Sequence, residues 1–272
     1  MPLQSLTRAG TRTKHKHTIM KYAFAGDRNI AVSILELLIQ EDQKPLALMV
    51  SSDKRQTHAA ALTALSGLDT SLVFKGKEFT LPQNVETLRS LDLDYIIGIH
   101  FPYIIPRQIL DLPKVGVINL HPAFLPYNKG WHTPSWAIID GTPYGATLHF
   151  MSEKLDAGDI IHQKQLEIAP NDTADTLYKK ALLLEYEVFK EALPDLLSLD
   201  PPRKKQPGEG TSHSKADLDT IREIKLNEKY NARDFIHLLR GLSTNTDSES
   251  AFFEENGKKY GIKIDITPLN PT

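Results

Sequence analysis

Asn119 and His121 are two polar side chains whose types and spacing suit acid–base chemistry. They stand in NLHP (119–122), at the end of an apolar segment, with one residue between them. In an extended segment, residues two apart point to the same side, so both side chains would face one cleft. A histidine can take up a proton, and an asparagine amide can donate a hydrogen bond to a developing oxyanion. The alternative is a capping asparagine beside a packed histidine.

Asp156 is the acidic candidate, in the segment LDAGDI (155–160), where a glycine turn leads into a strand. A carboxylate in this place could orient a histidine or raise the pKa of its ring. The alternative is an ordinary turn residue. Whether Asp156 meets His121 depends on the strands and helices that carry the two residues.

The first half of the chain predicts a parallel sheet covered by helices on both faces. Its apolar segments lack polar alternation, as buried parallel strands do. These predicted strands are residues 19–25, 46–51, 95–100 and 116–120. Helical patterns separate them, and Asp27 or Asn29 is expected to cap the first helix. His121 therefore follows the C-terminal end of a strand, where open α/β sheets place their sites.

The second half predicts two further strands and a long helix. Residues 145–151 alternate in polarity, and residues 160–168 form the next strand. The long helix is expected to begin with a cap at Asp172 or Thr173 and to end at Pro194. Its apolar residues recur on one stripe, so it should pack along the sheet.

A small C-terminal module is predicted to be α+β, with one helix and a hairpin that turns at Asn256-Gly257, a strong type I′ signal. The segment before it is rich in proline and glycine, which is typical of a linker. The fold class is therefore α/β, a Rossmann-like, mostly parallel sheet with helices on both faces, plus this module. The predicted parts are a disordered basic extension at 1–19, the main domain at 20–197, a linker at 198–220 and the module at 221–272.

Composition and charge exclude several classes of protein. The 272 residues include no cysteine, which removes disulfides, thiolate zinc sites, iron–sulfur clusters and cysteine nucleophiles. Residues 1–19 carry four basic residues and no acidic one, so the rest of the chain has 28 basic against 34 acidic residues. The resulting net charge of −6 disfavours nucleic acid as a partner.

The sequence shows neither a membrane span nor a secretory signal. No apolar run approaches the ~18 residues of a transmembrane helix. The basic N-terminus is not followed by an apolar stretch before Tyr22, as a secretory signal requires. Its acid-free start suits a transit peptide, a disordered tail or a start at Met20. We expect a cytoplasmic protein that binds no membrane.

Several familiar cofactor and catalytic motifs are missing from the sequence. Gly26 is the only glycine in the first βα turn, whereas a dinucleotide fingerprint needs three. No Walker A loop and no Gly-x-Ser-x-Gly elbow occur. The histidines lack the spacing of zinc ligands, so we expect no metal; they are His58, His100, His149 and His162.

The ordered series of motifs resembles the N10-formyltetrahydrofolate-dependent formyltransferases over roughly residues 20–197. That family includes glycinamide ribonucleotide, methionyl-tRNA and nucleotide-sugar N-formyltransferases. The motifs are NLHP (119–122), LP (125–126), Gly130, GATLH (145–149) and LDAGDI (155–160). The resemblance implies the formyltransferase fold and N10-formyltetrahydrofolate as co-substrate, without a metal. It also implies Asn119, His121 and Asp156 as the catalytic set.

The resemblance further implies where the folate binds. The loop after residue 100 would wrap the pterin, largely through backbone groups, and a second loop would form the other wall. The implied cofactor-binding residues are Phe101, Pro102, Tyr103, Ile104, Ile105, Glu153, Lys154 and Leu155. The alternative for the first loop is a plain turn into a short helix.

The segment YNKGWHTP (127–134) most resembles family members that act on dTDP-4-amino-4,6-dideoxyhexoses. It implies dTDP-4-amino-4,6-dideoxyglucose as substrate, a homodimer, and a product used in a surface polysaccharide such as lipopolysaccharide O-antigen. The implied substrate-binding residues are Lys129, Gly130, Trp131, His132, Thr133 and Tyr230. Trp131 offers a flat face to a base or sugar, and Lys129 a charge to a phosphate. The alternative for Trp131 is a half-buried core tryptophan.

Two other functions stay open. One is a methionyl-tRNA formyltransferase, although AFLP (123–126) and Lys129-Gly130 depart from the Ser-Leu-Leu-Pro and Arg-Gly of those enzymes. The last module, residues 221–272, has eight basic and eight acidic residues, whereas a tRNA-binding appendage should be larger and basic. The other is a non-catalytic module of the same fold that binds folate or a nucleotide sugar.

Overall fold

The computed structural model describes residues 19–52 and 57–269, and the predicted basic extension lies outside this part apart from Ile19. The strands are β1 (Tyr22–Gly26), β2 (Ala47–Val50), β3 (Val73–Lys75), β4 (Tyr95–Ile99), β5 (Gly116–His121), β6 (Lys129–Gly130), β7 (Tyr144–Phe150), β8 (Ile160–Leu166), β9 (Ser212–His213), β10 (Ala251–Glu255) and β11 (Lys258–Ile262). The α-helices are α1 (Arg28–Gln40), α2 (Ala59–Ser66), α3 (Pro82–Ser90), α4 (Arg107–Leu110), α5 (Thr133–Ile139), α6 (Ala174–Leu197), α7 (Asp217–Ile221) and α8 (Ala232–Leu242).

A seven-stranded sheet with the order β3-β2-β1-β4-β5-β7-β8 forms the centre of the molecule. Strands β1 to β5 pair in parallel, whereas β7 runs antiparallel to both β5 and β8. The Rossmann-like, mostly parallel sheet predicted from the apolar segments is confirmed. Strand β5 lies inside this sheet, between β4 and β7, so its last residues are held from both sides.

Both faces of the sheet are covered, and each has its own apolar core. Successive strand residues point to opposite faces, so Tyr22 and Phe24 join one core and Ala23 and Ala25 the other. Helices α1 and α6 cover the first face, and α3 with Phe79 covers the second. Each fully buried large apolar side chain contributes about 1.5–3 kcal/mol, so the sheet forms a rigid base for the loops at its edge.

The ends of the two main helices show which sequence signals determine them. Asp27 caps α1, as predicted, because its side chain accepts a hydrogen bond from the backbone N–H of Arg28 at 2.8 Å. Thr173 caps α6 in a reciprocal capping box with Thr176. The predicted end at Pro194 is wrong, because α6 continues to Leu197 with the proline inside it. A proline removes only one N–H donor, and burial of the last turn through Leu196 outweighs that loss.

The C-terminal module packs on the main domain through a shared core. Trp136 of α5 is buried together with residues of the module such as Leu242 and Ala251. The buried Arg240 of α8 donates through Nε to the backbone carbonyl of Asp172 at 2.7 Å. The hairpin β10–β11 turns at Asn256-Gly257 with φ of 52° and 72°, as a type I′ turn requires.

Residues 198–220, predicted as a linker, run along the main domain. Lys204 bridges to Ile160 at the start of β8, and β9 pairs in parallel with β6. The division of the chain into a main domain, a linker and a module stays a proposal. In the part of the chain that the structure describes, no helix is both long and apolar enough to cross a bilayer.

Candidate active site

A cleft of ≈ 390 Å³ opens at the carboxyl ends of β4 and β5. Asn119 and His121 line it, together with Gly130 and Trp131 from the loop that follows β5. This is the edge at which open α/β sheets bind ligands, because the strand ends and their loops meet there. The structure thus brings the predicted histidine and asparagine to one cleft.

His121 is the last residue of β5, and its ring is nearly buried. Its Nε2 lies 3.1 Å from the backbone carbonyl oxygen of Asn128. Because a carbonyl oxygen only accepts, Nε2 carries a hydrogen in this arrangement. The loop between β5 and β6 therefore sets the orientation of the ring.

Asp156 lies beside His121, as the family resemblance implied. Its Oδ2 is 3.6 Å from His121 Nε2, and it accepts a hydrogen bond from the backbone N–H of Gly130 at 3.0 Å. Burial opposes ionisation of the carboxyl, but attraction to His121 and the hydrogen bond from the Gly130 N–H contribute to a net lowering of the pKa of Asp156. Asp156 is therefore a carboxylate at neutral pH, close enough to stabilise a charge on His121.

His149 is a site residue that sequence reasoning missed. It stands directly opposite Asn119 in the antiparallel pair of β5 and β7, and its Nε2 is 3.7 Å from Asp156 Oδ1. Its Nδ1 donates to the carbonyl oxygen of Phe150 at 2.8 Å, which leaves Nε2 of the neutral ring as an acceptor for the Asn119 amide at 3.4 Å. An amide nitrogen carries two hydrogens, so one remains for a ligand.

His149 is uncharged at neutral pH, since burial lowers its pKa to about 4. The unfolded chain, with a histidine pKa of about 6.5, binds more protons in this range. Stability therefore falls as the pH drops from 6.5 to 4, by about 3 kcal/mol from this group alone. We expect His149→Gln to remove that part of the pH dependence, measured by urea unfolding at pH 7, 5.5 and 4.

A matched control for this stability measurement is His237→Gln, because His237 lies partly exposed on α8. This variant should keep the pH dependence of the wild type. If the free energy of unfolding fell equally with pH in the wild type and in His149→Gln, the result would contradict a buried, neutral His149.

In residues 101–105, the loop predicted to bind folate, every second side chain is anchored to the main domain. The ring centroid of Phe101 is 5.6 Å from that of Phe79, and Ile105 is buried in the same core. The hydroxyl of Tyr103 accepts from the backbone N–H of Ser52 at 3.1 Å. Pro102 and Ile104 are exposed, and Ile104 keeps 90% of its surface accessible. The loop thus presents backbone and apolar surface beside the cleft, which suits a flat heterocycle.

Residues 153–155, predicted as the second wall of the folate site, lie next to Asp156 and the loop that carries Gly130. Glu153 forms an ion pair with Arg107 of α4, whose Nη1 lies 3.3 Å from Glu153 Oε1. Lys154 is exposed, and its backbone carbonyl accepts from the Ser152 hydroxyl at 3.0 Å. Leu155 is also exposed, yet one of its methyl groups lies against Gly130. The wall therefore joins the Gly130 loop, and its contact with folate stays a prediction.

The predicted substrate residues divide into two groups. Gly130, Trp131, His132 and Thr133 line the cleft, and Trp131 keeps 46% of its surface exposed with Lys215 Nζ 5.4 Å from its ring. Thr133 is buried and donates to the Pro122 carbonyl at 2.6 Å, so it shapes the cleft floor.

Two of the predicted substrate residues are engaged elsewhere. Lys129 Nζ donates to the backbone carbonyl of Glu209 at 2.8 Å, so the ammonium group is hydrogen-bonded within the protein and does not line the cleft. The structure does not bring Tyr230 to the cleft. Its hydroxyl accepts from the backbone N–H of Lys225 at 2.9 Å, and its ring stacks on Phe235 within the module.

Other cleft residues were not predicted. They are Arg28, His100, Tyr178, Lys215, Asn245 and Glu249, among others. Arg28 donates to the Tyr178 hydroxyl at 3.0 Å, and it follows the Asp27 cap with a left-handed φ of 68°. The GDRN turn after β1 was a sequence signal for Arg28, whereas the residues of α6 and the module reach the cleft only through tertiary packing.

Two of the histidines weighed as metal ligands, His100 and His162, are each paired with a glutamate. His100 Nε2 lies 2.8 Å from the fully buried Glu185, and His162 Nε2 lies 2.9 Å from Glu191. Among residues 19–52 and 57–269, no three His, Asp or Glu side chains converge to hold a metal ion. The His100–Glu185 pair instead fixes the residue from which the predicted folate loop begins.

The fold and the site define the class of protein to which the chain belongs. Residues 20–193 match the family described as formyl transferase, and residues 217–268 match the N-formyltransferase dimerization C-terminal domain. The chain is a member of the formyl transferase family. The resemblance inferred from the ordered motifs is thereby confirmed.

Individual relatives fall into two groups by their names. A solved 4-N formyltransferase from Francisella tularensis has a TM-score of 0.78 at 26% identity, over 93% of this chain and 100% of that one. The dTDP-4-amino-4,6-dideoxyglucose formyltransferase of Mycobacterium tuberculosis (strain ATCC 25618 / H37Rv) is 29% identical over 65% of this chain and 75% of its own. The methionyl-tRNA formyltransferase of Staphylococcus aureus (strain MW2) is 28% identical over 90% of this chain and 79% of its own.

Proposed function

We propose that this protein transfers a formyl group from N10-formyltetrahydrofolate to the amine of a dTDP-linked amino-dideoxyhexose, dTDP-4-amino-4,6-dideoxyglucose. The observation that carries the reaction is that Asn119 and His121 line one cleft, with the largely buried Asp156 carboxylate 3.6 Å from His121 Nε2. Two similarities support this choice of sugar. One extends along the whole length of the 4-N formyltransferase, and the other is to the dTDP-4-amino-4,6-dideoxyglucose formyltransferase.

The proposed reaction begins when the neutral amine attacks the formyl carbon. The carbonyl oxygen becomes an oxyanion, which accepts hydrogen bonds from the Asn119 amide and from protonated His121. Asp156, 3.6 Å from the His121 ring, stabilises the charged form of that ring. The proton lost by the amine passes through water and Asp156 to N10 as the bond between carbon and N10 breaks. The products are tetrahydrofolate and the N-formyl sugar.

The polar part of the cleft suits the remainder of such a substrate. Arg28 and Lys215 are cations on the cleft lining, and each can pair with a diphosphate oxygen. Trp131 presents a half-exposed ring on which a base or a sugar can stack. We also propose a cytoplasmic homodimer whose product enters a surface polysaccharide; the match to a dimerization domain supports the dimer.

Methionyl-tRNA formylation is the second candidate, because the Staphylococcus aureus enzyme of that name aligns over 90% of this chain. The charge of residues 221–272 disfavours it, since eight basic residues are offset by eight acidic ones. A protein that holds tRNA through phosphate contacts should carry an excess of basic residues.

A turnover assay with a panel of acceptors tests the proposal. The purified protein and N10-formyltetrahydrofolate are offered dTDP-4-amino-4,6-dideoxyglucose, its galactose epimer, the 3-amino isomers, glycinamide ribonucleotide and initiator methionyl-tRNA. Mass spectrometry is used to detect the gain of one formyl group. We expect rapid formylation of the 4-amino glucose compound and retention of activity in chelator. Preference for the tRNA, or no formylation of any dTDP sugar, would contradict the proposal.

A further inference from the structure

Residues 203–213, here called the strap, connect the two sides of the candidate active site. The strap begins where the Arg203 guanidinium donates to the Val115 carbonyl at 2.6 Å and ends at β9 beside β6. It lies between the two segments that match known families, residues 20–193 and 217–268. The strap residues that contact the site are therefore outside both matches.

Gln206 of the strap holds the backbone around Asp156. Its Nε2 donates to the carbonyl oxygen of Asp156 at 2.8 Å and to that of Gly158 at 2.8 Å. Both amide hydrogens are used in this way, so the side chain spans the turn as a clamp.

The turn that Gln206 clamps is held in an unfavourable shape. Asp156 has a left-handed φ of 46°, a conformation that is uncommon for residues other than glycine. Gly158 lies so close to the carbonyl oxygen of Phe150 that a Cβ there would collide with it. Two hydrogen bonds from Gln206 offset the cost of this backbone shape.

The strap also holds the opposite side of the site. Thr211 accepts from the backbone N–H of Asn128 through its hydroxyl at 2.8 Å and from that of Lys129 through its carbonyl at 3.0 Å. Asn128 in turn accepts from the His121 ring, and Gly130 donates to the Asp156 carboxylate. One short segment thus contacts both the turn that carries Asp156 and the loop that orients His121.

We propose that Gln206 is a positioning residue that keeps the Asp156 carboxylate against the Gly130 N–H and beside His121. The inference rests on the proposed formyl transfer, in which Asp156 acts through the His121 ring. Without the two hydrogen bonds, the turn relaxes and the carboxylate moves relative to the ring. A displacement of about 1 Å in a reacting constellation costs up to ~100-fold in rate.

The test compares Gln206→Met with the wild type. Methionine is unbranched and similar in length to glutamine but donates no hydrogen bonds. We expect kcat to fall about 10- to 100-fold while KM for the nucleotide sugar stays within about twofold, because Gln206 acts on Asp156 and not on the substrate. The matched control is Gln165→Met, since Gln165 is exposed on β8.

A second measurement needs no substrate. In hydrogen exchange, the Gly130 amide should exchange at least ~10-fold faster in Gln206→Met, because its acceptor Asp156 is no longer fixed. The amide of Ala23 in β1 should keep its wild-type rate, which separates a local change from global destabilisation. Gln165→Met should leave both amides unchanged.

The outcomes separate the inference from the proposed function. Wild-type kcat and wild-type Gly130 exchange in Gln206→Met would overturn the role of Gln206. Equal acceleration of the Gly130 and Ala23 amides would also overturn it, by showing only a loss of stability. If the wild type formylates no acceptor, the proposed function fails, and the exchange comparison still decides whether Gln206 fixes Asp156.

Discussion

We expect His121→Ala to lower kcat for the proposed formyl transfer by at least ~100-fold, because it removes the charged hydrogen-bond donor assigned to the oxyanion. Loss of one such donor typically costs 10²–10³ in rate. Asn119→Ala, which removes the other donor on β5, should have an effect of the same size. The measurement is kcat at saturating concentrations of both substrates, with N10-formyltetrahydrofolate as donor.

The fold should survive the loss of the His121 ring. Its Nε2 hydrogen bond is made to a loop carbonyl beside the cleft, where water can replace it. His162→Ala is a matched control, because His162 lies on β8 with its Nε2 against the exposed Glu191. That control should keep its kcat within about twofold. A folded His121→Ala variant with near-wild-type turnover would disprove the assigned role of His121.

Asp156→Asn should lower kcat by about 10²- to 10⁴-fold, the range of contributions from positioned acid–base groups. Asparagine has nearly the same shape and can still accept from the Gly130 N–H, so the change removes the charge and leaves the turn in place. In the proposed reaction, this change removes both the partner that stabilises protonated His121 and the carboxylate that relays the proton of the amine. The same turnover assay measures the effect.

Asp159→Asn provides the control for the charge removal at Asp156. Asp159 belongs to the same turn, and its backbone carbonyl accepts from Phe150, a contact that the substitution retains. Its kcat should stay within about twofold of the wild type. Retention of more than a tenth of wild-type kcat in Asp156→Asn would show that Asp156 is a structural turn residue.

The parallel sheet and the position of His121 were predictable from local patterns. Apolar segments of strand length without alternation are typical of strands buried on both faces. Strands β1 and β4 are buried along their whole length, and β5 is buried except at Gly116 and Asn119, which are partly buried. Because β5 ends at His121, the polar residues after its apolar segment had to reach the carboxyl edge of the sheet. The meeting with Asp156 followed from the family resemblance rather than from periodicity.

The contacts of Asn119 with His149 and of Asp156 with Gln206 could not be predicted from local sequence patterns. Asn119 faces His149 because β5 and β7 pair in one particular register across 30 residues of sequence, and alternation within β7 shows only which residues share a face. Gln206 stands in a segment whose proline and glycine content is typical of a linker. Composition carries no information about which backbone carbonyls such a segment contacts.

The shared core around Trp136 limits how this chain can be recombined with its relatives. A chimera joined at the end of α6 would take the strap and the C-terminal module from one parent and the face of α5 from the other. Such a crossover would separate Trp136 from Leu242 and Gln206 from Asp156. A folded recombinant between family members therefore has to keep α5, the Asp156 turn, the strap and the C-terminal module from the same parent.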